Sequence, residues 1–327
     1  MKGRILVHGG AGPWDDAGRL GGKGIRGLRK AVEAGLSAME TGSAVDGVVE
    51  AVAILEGSGV FNAGKGAVLN LAGRLELDAG VMDGERIRSG AVAAVRSVPH
   101  PVRLARVIMD RTEHMLLVGD GAEELAKVSG LSGQVRPLRR RRVEYEGDRA
   151  AWLRSRHHRW AADFVPLSPG SREGDTVGAV AMDGEGRFAA ATSTGGLPFK
   201  LPGRVGDSPL VGHGYYALRG AGAASTSGIG EAIARYGLSL RAVLSLADGK
   251  PAPLAAEEAV AGLTGLFGEN TAGIILLDHT GSPGVFFNTG GMAIGYGRSR
   301  ADIVSRIVKR EQLGELSLLM NNRGKWG

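Results

Sequence analysis

Gly174–Asp175–Thr176–Val177–Gly178–Ala179–Val180–Ala181 is followed, across Asp183–Gly184–Glu185–Gly186, by a second apolar run from Phe188 to Ala191 that continues into Thr192–Ser193–Thr194–Gly195–Gly196. Two short runs of small and β-branched residues around a glycine-containing turn predict a β-hairpin. The segment ahead of it is polar, rich in Pro and Arg, and has no helical or strand period. A threonine therefore stands at the first position of a buried strand, directly after a flexible linker. A chain cut between Asp175 and Thr176 would give that residue both a hydroxyl nucleophile and a free α-amine to act as its base. A strand-initiating threonine would look the same, since β-branched residues favour strands. The rest of the chain has to separate the two.

Outward from the hairpin, composition narrows the choices. Glycine makes up 55 of 327 residues, more than twice the usual share of about 7%. The glycines lie between apolar runs without a collagen period, which predicts tight turns and close backbone approaches. Cysteine is absent, so thiol nucleophiles, thiolate metal sites and disulfides are excluded. The start, Met1 to His8, has no long apolar run of the secretory kind, and no stretch is apolar enough to span a bilayer. A soluble, cytoplasmic protein without a membrane span is the expectation. The net charge of +6 equals the charge of Arg136–Trp160 alone, where nine arginines face three acids. A basic block confined to one segment reads as a solvated linker, and nucleic acid is not expected as a partner.

Along the chain, Arg4–Val7 predicts a strand running into the turn His8–Gly9–Gly10–Ala11–Gly12–Pro13–Trp14. Leu28, Val32, Leu36 and Met39 share one face of a helix over 27–41, and Ser43 with Asp46 opens the next in a capping box. Two glycine motifs fail their context. Gly22–Gly27 spells G-x-G-x-x-G after a polar loop, not a strand, and Gly59–Lys65 resembles a phosphate loop but continues into Gly66 with no hydroxyl for Mg²⁺. Runs at 67–71, 75–82 and 87–95 predict a strand meander, and Pro101 begins a helix at its first turn. A strand at 115–118 and a short helix precede the basic linker, about 132–173. Beyond the hairpin, three prolines and two glycines shape the loop 197–209, which carries Arg204 and Asp207. Ser227–Gly228–Ile229–Gly230–Glu231 turns a strand into a helix, a place where N–H groups and a hydroxyl can stabilise an oxyanion. Two helices and two strands follow, and Ile303, Ile307 and Val308 predict an added amphipathic helix in the tail, about 298–327.

These residues resemble the plant-type asparaginase and isoaspartyl peptidase group of N-terminal nucleophile (Ntn) hydrolases. The resemblance runs from His8–Gly12 through Phe61–Gly66, Glu76–Asp78 and Met82–Gly84 to Thr176–Ala181, Thr192–Gly196 and Gly203–Pro209. It implies an α+β fold, a four-layer αββα sandwich, in one domain made of two autocleaved subunits, 1–175 and 176–327. Asp175 and Thr176 would flank the cut. The resemblance implies that Thr176 attacks the side-chain amide of asparagine or of a β-aspartyl dipeptide, that Thr194 orients it, and that Ser227 and Gly228 form the oxyanion hole. Asn62 matches a position close to the nucleophile. Arg204 would hold the substrate carboxylate and Asp207 its ammonium, with Ser227, Gly228 and Gly230 lining the pocket. It also implies a dimer of such heterodimers and no required cofactor. A structural sodium ion would sit on the carbonyls of Leu55, Glu56, Ser58, Phe61, Ala63 and Lys65, neutral oxygens that suit a hard cation.

Three positions depart from the pattern: Ser227 replaces a usual threonine, Asp175 replaces a usual glycine, and the chain beyond Gly297 has no evident counterpart. The Asp–Thr junction is more like the glycosylasparaginases, and a family member that never cleaves could be a binding protein. Both alternatives stay open at this stage.

Overall fold

The computed structural model describes residues 3–14, 19–156 and 176–314. In chain order the elements are β1 (Arg4–Gly12), α1 (Arg19–Thr41), α2 (Ala44–Gly57), β2 (Leu77–Asp83), β3 (Arg88–Val95), α3 (Pro101–Arg111), β4 (Leu116–Val118), α4 (Gly119–Val128) and α5 (Arg139–Arg156). After the linker come β5 (Val177–Met182), β6 (Phe188–Thr194), β7 (Tyr215–Leu218), β8 (Gly222–Gly228), α6 (Gly230–Tyr236), α7 (Leu238–Ala247), α8 (Ala252–Phe267), β9 (Ala272–Asp278), β10 (Pro283–Phe287), β11 (Gly291–Gly297) and β12 (Val304–Lys309).

The strands form two sheets, one of eight in the order β12-β11-β1-β5-β6-β2-β3-β4 and one of four in the order β10-β9-β8-β7. The predicted hairpin is the centre of the larger sheet. Alternation along its strands divides the core. Val177, Ala179 and Ala181 of β5 join a cluster with Leu28 and Val32 of α1 and Val48 and Val52 of α2. Val180 and Met182, of the opposite parity, meet Tyr215, Ala223 and Ile275 of the smaller sheet. The outer face of that sheet, Ala224, Ile274 and Leu276, buries against Ile233, Val243 and Val260 of α6, α7 and α8. Many inward residues are Ala or Gly, which allows the two sheets to approach closely enough for polar side chains at strand ends to meet.

Local signals in the sequence act as expected at several helix starts. Ser43 Oγ accepts the Asp46 N–H, and Asp46 Oδ2 accepts the Ser43 N–H at 2.7 Å, so both halves of the capping box close. Pro101 stands at the first turn of α3, and Leu104, Ala105 and Ile108 are buried.

Four expectations are corrected. Residues 67–71 are not a strand; their backbone bonds go to a turn and to the loop near 200, with Leu71 N–H donating to the Lys200 carbonyl at 2.8 Å. The glycine-rich turn after Val7 is a continuation of β1 to Gly12, with a register shift between His8 and Ala11. The linker is not structureless throughout, since α5 spans Arg139–Arg156; residues 157–175, Asp175 among them, lie outside the described residues. The tail's Ile307 and Val308 lie in an edge strand, β12, paired with β11, with Ile303 just ahead of it, and not in a helix. A spacing of four keeps Ile303 and Ile307 on one side of an extended chain as well as of a helix, and both join the helix-facing cluster. Val308, one residue on, belongs to the cluster between the sheets, as period two requires. Residues 315–327 lie outside the described residues.

Candidate active site

Strand parity brings three hydroxyls together. Val177 pairs with Ser193 across β5 and β6, so Thr176, just ahead of β5, comes opposite Thr194 at the end of β6. Both share the parity of Val180 and Ala190, which face the smaller sheet. Ser227 lies near the end of β8 on the parity of Ala223, which faces back toward them. Thr176 Oγ1 donates to Thr194 Oγ1 at 3.3 Å, and the Thr176 backbone N–H donates to Ser227 Oγ at 3.4 Å. All three residues are buried.

Two of the three hydroxyls, those of Thr194 and Ser227, are oriented by backbone N–H groups. Thr194 Oγ1 accepts the Gly196 N–H at 2.9 Å, and Ser227 Oγ also accepts the Ala11 N–H at 3.0 Å. An oxygen that accepts two N–H bonds directs its own proton elsewhere. The Ser227 hydroxyl is therefore available to donate to an oxygen placed beside it. Gly228 follows with φ 143, and a Cβ there would lie 2.2 Å from the Thr271 carbonyl oxygen. Gly228→Ala is expected to cost about 2 kcal/mol or more of stability, read as a lower Tm.

A second group of residues stands beside this cluster. Arg204 and Asp207 both reach Gly230. A Cβ on Gly230 would lie 2.8 Å from Asp207 Oδ1 and 2.9 Å from Arg204 Nη2. The two charged residues do not form an ion pair with each other. Arg204 instead grips Glu231 with two parallel bonds, Nε to Oε1 at 2.8 Å and Nη2 to Oε2 at 2.7 Å. Burial would push the Glu231 carboxyl up, but the Arg204 hydrogen bond and charge together outweigh it and hold it below the ordinary range. Asp207 is almost fully buried and accepts the Thr226 hydroxyl at 3.1 Å. Burial pushes its carboxyl up to about 6, against the opposing pull of the Arg204 charge. A buried carboxylate with a vacant small-residue neighbour is suited to receive a cationic group.

Asn62 makes no direct bond to Thr176. Its side-chain N–H₂ donates to the Gly196 carbonyl at 2.7 Å and its own carbonyl accepts the Gly195 N–H at 3.0 Å. It fastens the segment that carries Thr194, so its place is behind the nucleophile and not on the reacting atoms.

Several further residues bear on the site without a role assigned to them from the sequence. Ser208 Oγ lies 3.5 Å from Thr176 Oγ1, and the Ser208 carbonyl accepts the Thr192 hydroxyl at 2.6 Å. Lys200 is buried, with Nζ 3.1 Å from the Glu76 carbonyl and 3.4 Å from Asp78 Oδ2, and Glu76 Oε2 accepts the Gly203 N–H at 2.9 Å. These contacts brace the loop that bears Arg204. His8 bonds Ser225 Oγ at 2.8 Å between the sheets, and burial lowers it to about 3, so it is neutral at physiological pH. Only adjacency to Arg204 and Asp207 in the sequence could have marked Ser208, and Glu231 shows as nothing more than an acid in a helix's first turn.

The sequence profile of a family described as asparaginase matches residues 1–305. A plant-type L-asparaginase of Pyrobaculum calidifontis is 46% identical over 301 residues, covering 90% of this chain and 96% of that protein. An isoaspartyl peptidase of Salmonella typhimurium is 42% identical over 310 residues, covering 90% and 95%. An isoaspartyl peptidase/L-asparaginase of Danio rerio is 39% identical over 279 residues, covering 85% and 86%. The profile match extends past Gly297 and into β12, so the segment directly after Gly297 does have counterparts in the family.

Proposed function

The chain belongs to the asparaginase family, and on that premise we propose that it is an autoprocessing amidohydrolase acting on L-asparagine and β-aspartyl dipeptides. The observation that carries the reading is the meeting of the Thr176, Thr194 and Ser227 hydroxyls beside the Arg204–Asp207–Gly230 group. The two sheets with helices outside each support the four-layer αββα sandwich of Ntn hydrolases.

The first step is hydrolysis of the peptide bond before Thr176, in which Oγ1 attacks the Asp175 carbonyl carbon and the acyl group passes from the Thr176 nitrogen to Oγ1. One water then cleaves that ester, giving fragments 1–175 and 176–327, of 175 and 152 residues. The Thr176 nitrogen, a backbone amide in the uncut chain, becomes an α-amine whose ordinary pKa of about 7.7–8.0 suits a base near neutral pH. Oγ1 then attacks the substrate's side-chain carbonyl carbon while its proton passes to that amine. The developing oxyanion receives the Ser227 O–H and the Gly228 N–H. Collapse breaks the C–N bond, the amine returns the proton to the departing ammonia or amino acid, and a Thr176 ester remains. Water, deprotonated by the same amine, hydrolyses the ester and releases aspartate. Arg204 holds the substrate α-carboxylate, for which a planar guanidinium is suited, and Asp207 holds the α-ammonium. Thr194 orients the nucleophile; Asn62 holds Thr194's segment.

Gly230 sets the width of this pocket. Gly230→Ala would place its methyl against both Asp207 and Arg204. The expected result is a loss of about 10- to 100-fold in kcat/KM with little change in Tm, since misplacement near 1 Å is enough. A sodium ion on the carbonyls of Leu55, Glu56, Ser58, Phe61, Ala63 and Lys65 remains part of the proposal. The Ala63 carbonyl accepts the Gly66 N–H and, as a neutral oxygen, keeps a lone pair for a hard cation. The Leu55 carbonyl already accepts both the Ser58 N–H and, at 2.7 Å, the Ser58 hydroxyl, so a sodium ion there would have to replace one of these bonds. Its role would be to stiffen the loop below Asn62. The proposal also includes a dimer of the two-fragment units and a cytoplasmic location; among the described residues, no helix is long and apolar enough to cross a membrane.

Intact mass of the purified protein, coupled to ammonia release from asparagine and hydrolysis of a β-aspartyl dipeptide panel, tests the reading. Two fragments with turnover are expected. One intact, inactive chain would identify a non-catalytic binding protein, and turnover only of sugar-bearing asparagine would identify a glycosylasparaginase.

A further inference from the structure

The first half of α5 is docked on the backbone of two loops. The Arg140 guanidinium donates to the carbonyls of Gly59 and Val60, and Arg141 Nε donates to the Gly66 carbonyl at 2.8 Å. One turn further on, the Tyr145 hydroxyl donates to the Leu71 carbonyl at 2.9 Å. The Tyr145 ring stacks on Phe199, with centroids 5.5 Å apart and planes inclined by 28°.

Phe199 has φ 59, a left-handed conformation that is unfavourable for a bulky side chain and persists only where its surroundings enforce it. Its N–H donates to the Leu69 carbonyl at 3.0 Å, and the next carbonyl, of Lys200, accepts the Leu71 N–H. The loop 67–74 and the loop 197–203 are thereby laced together, and Tyr145 touches both. Five residues beyond Phe199 the second loop presents Arg204, then Asp207 and Ser208. The Phe199 turn is thus one anchor of the loop that carries these residues, beside the Gly203 N–H to Glu76 bond further along.

We infer that Tyr145 is a positioning residue for substrate binding: by bonding Leu71 and stacking on Phe199 it holds the strained turn that places Arg204 and Asp207. The inference rests on the reading of those two residues as the grip on substrate. It makes α5 a working part of the site, although it lies on the fragment whose end the cut releases.

The test uses full-length protein allowed to process, as wild type, Tyr145→Phe, Tyr145→Leu and Tyr145→Ala. Intact mass, KM and kcat for a β-aspartyl dipeptide, and the Kd for aspartate by calorimetry are measured on each. All are expected to be cut. Tyr145→Ala and Tyr145→Leu should raise KM and the aspartate Kd by about tenfold or more, with kcat held within about threefold. Tyr145→Phe, which keeps the stack and loses only the Leu71 bond, should raise KM and the aspartate Kd by less than Tyr145→Leu does, with kcat again held within about threefold. If Tyr145→Ala does not fold, the Leu and Phe variants decide. Unchanged KM and aspartate Kd in Tyr145→Leu, or a loss confined to kcat or Tm, would overturn the inference while leaving the enzyme reading intact. A wild type that binds no aspartate and cleaves no dipeptide overturns the substrate-grip reading, and the inference falls with it.

Discussion

Thr176→Ala is expected to remain a single chain of 33.8 kDa and to show no ammonia release from asparagine above background. The substitution removes the one oxygen that sits against Thr194 Oγ1 at 3.3 Å and Ser208 Oγ at 3.5 Å. It should leave the fold in place, because the pairing of β5 with β6, Val177 to Ser193 and Gly178 to Thr192, does not use that oxygen. Removal of a nucleophile typically costs about 10⁴-fold or more in kcat. Here the loss is doubled in kind, since the same hydroxyl makes the cut that exposes its own base. Thr176→Ser separates the two requirements from packing: it keeps the hydroxyl and should still be cut and turn over, more slowly. Electrophoresis and intact mass read the cut, and a coupled ammonia assay reads turnover. An uncut but active Thr176→Ala would place the nucleophile elsewhere.

Arg204→Lys is expected to lower kcat/KM by about 30-fold or more, mostly through KM, as truncating one partner of a buried charged hydrogen-bond pair costs about 2–5 kcal/mol. A lysine keeps the charge but cannot make two parallel bonds to one carboxylate. The bidentate mode is already displayed toward Glu231, whose carboxylate occupies the guanidinium's edge in the free site. A substrate carboxylate has to share or displace that partner, so geometry matters more than charge alone. Unchanged KM in Arg204→Lys would mean that the carboxylate is bound at another place.

The partner residue has its own signature in pH. Burial raises the Asp207 carboxyl to about 6 from an ordinary 3.8, and only the ionised form can receive the substrate ammonium. Substrate affinity should therefore fall as pH drops through about 6, an acid limb that Asp207→Asn removes along with most of the affinity. Stability moves the other way. Between about 4 and 6 the folded chain holds more protons at this site than the unfolded chain, so Asp207 weakens the empty fold as pH rises through that window. Thermal melts at pH 4.5 and 7, for wild type and Asp207→Asn, read that contribution by difference.

Much of the site was legible because it is written in local terms. The hairpin, the first-position threonine, the capping box at Ser43 and the proline at the start of α3 each depend on neighbours within a few residues. The resemblance to a known family then assigned roles to Thr194, Ser227, Arg204 and Asp207 that spacing alone could not. Glu231, Ser208 and Tyr145 were not legible in the same way, since an acid, a serine and a tyrosine of ordinary context say nothing until a distant partner is known. The tail illustrates the limit from the other side: Ile303 and Ile307, four apart, satisfy a helix and a strand equally, and only pairing with β11 chose the strand.

What the sequence by itself determined is the alternation that puts Thr176 and Thr194 on one face of a strand pair, and the glycines that let chains approach there. Which face that is, and what stands across from it, was decided by the stacking of the second sheet, because Ser227 reaches the Thr176 nitrogen, 51 positions back in the chain, only when the segment between them has folded back. Contacts between residues far apart in the chain have no local period to announce them; they exist only once both sheets have buried their shared apolar faces.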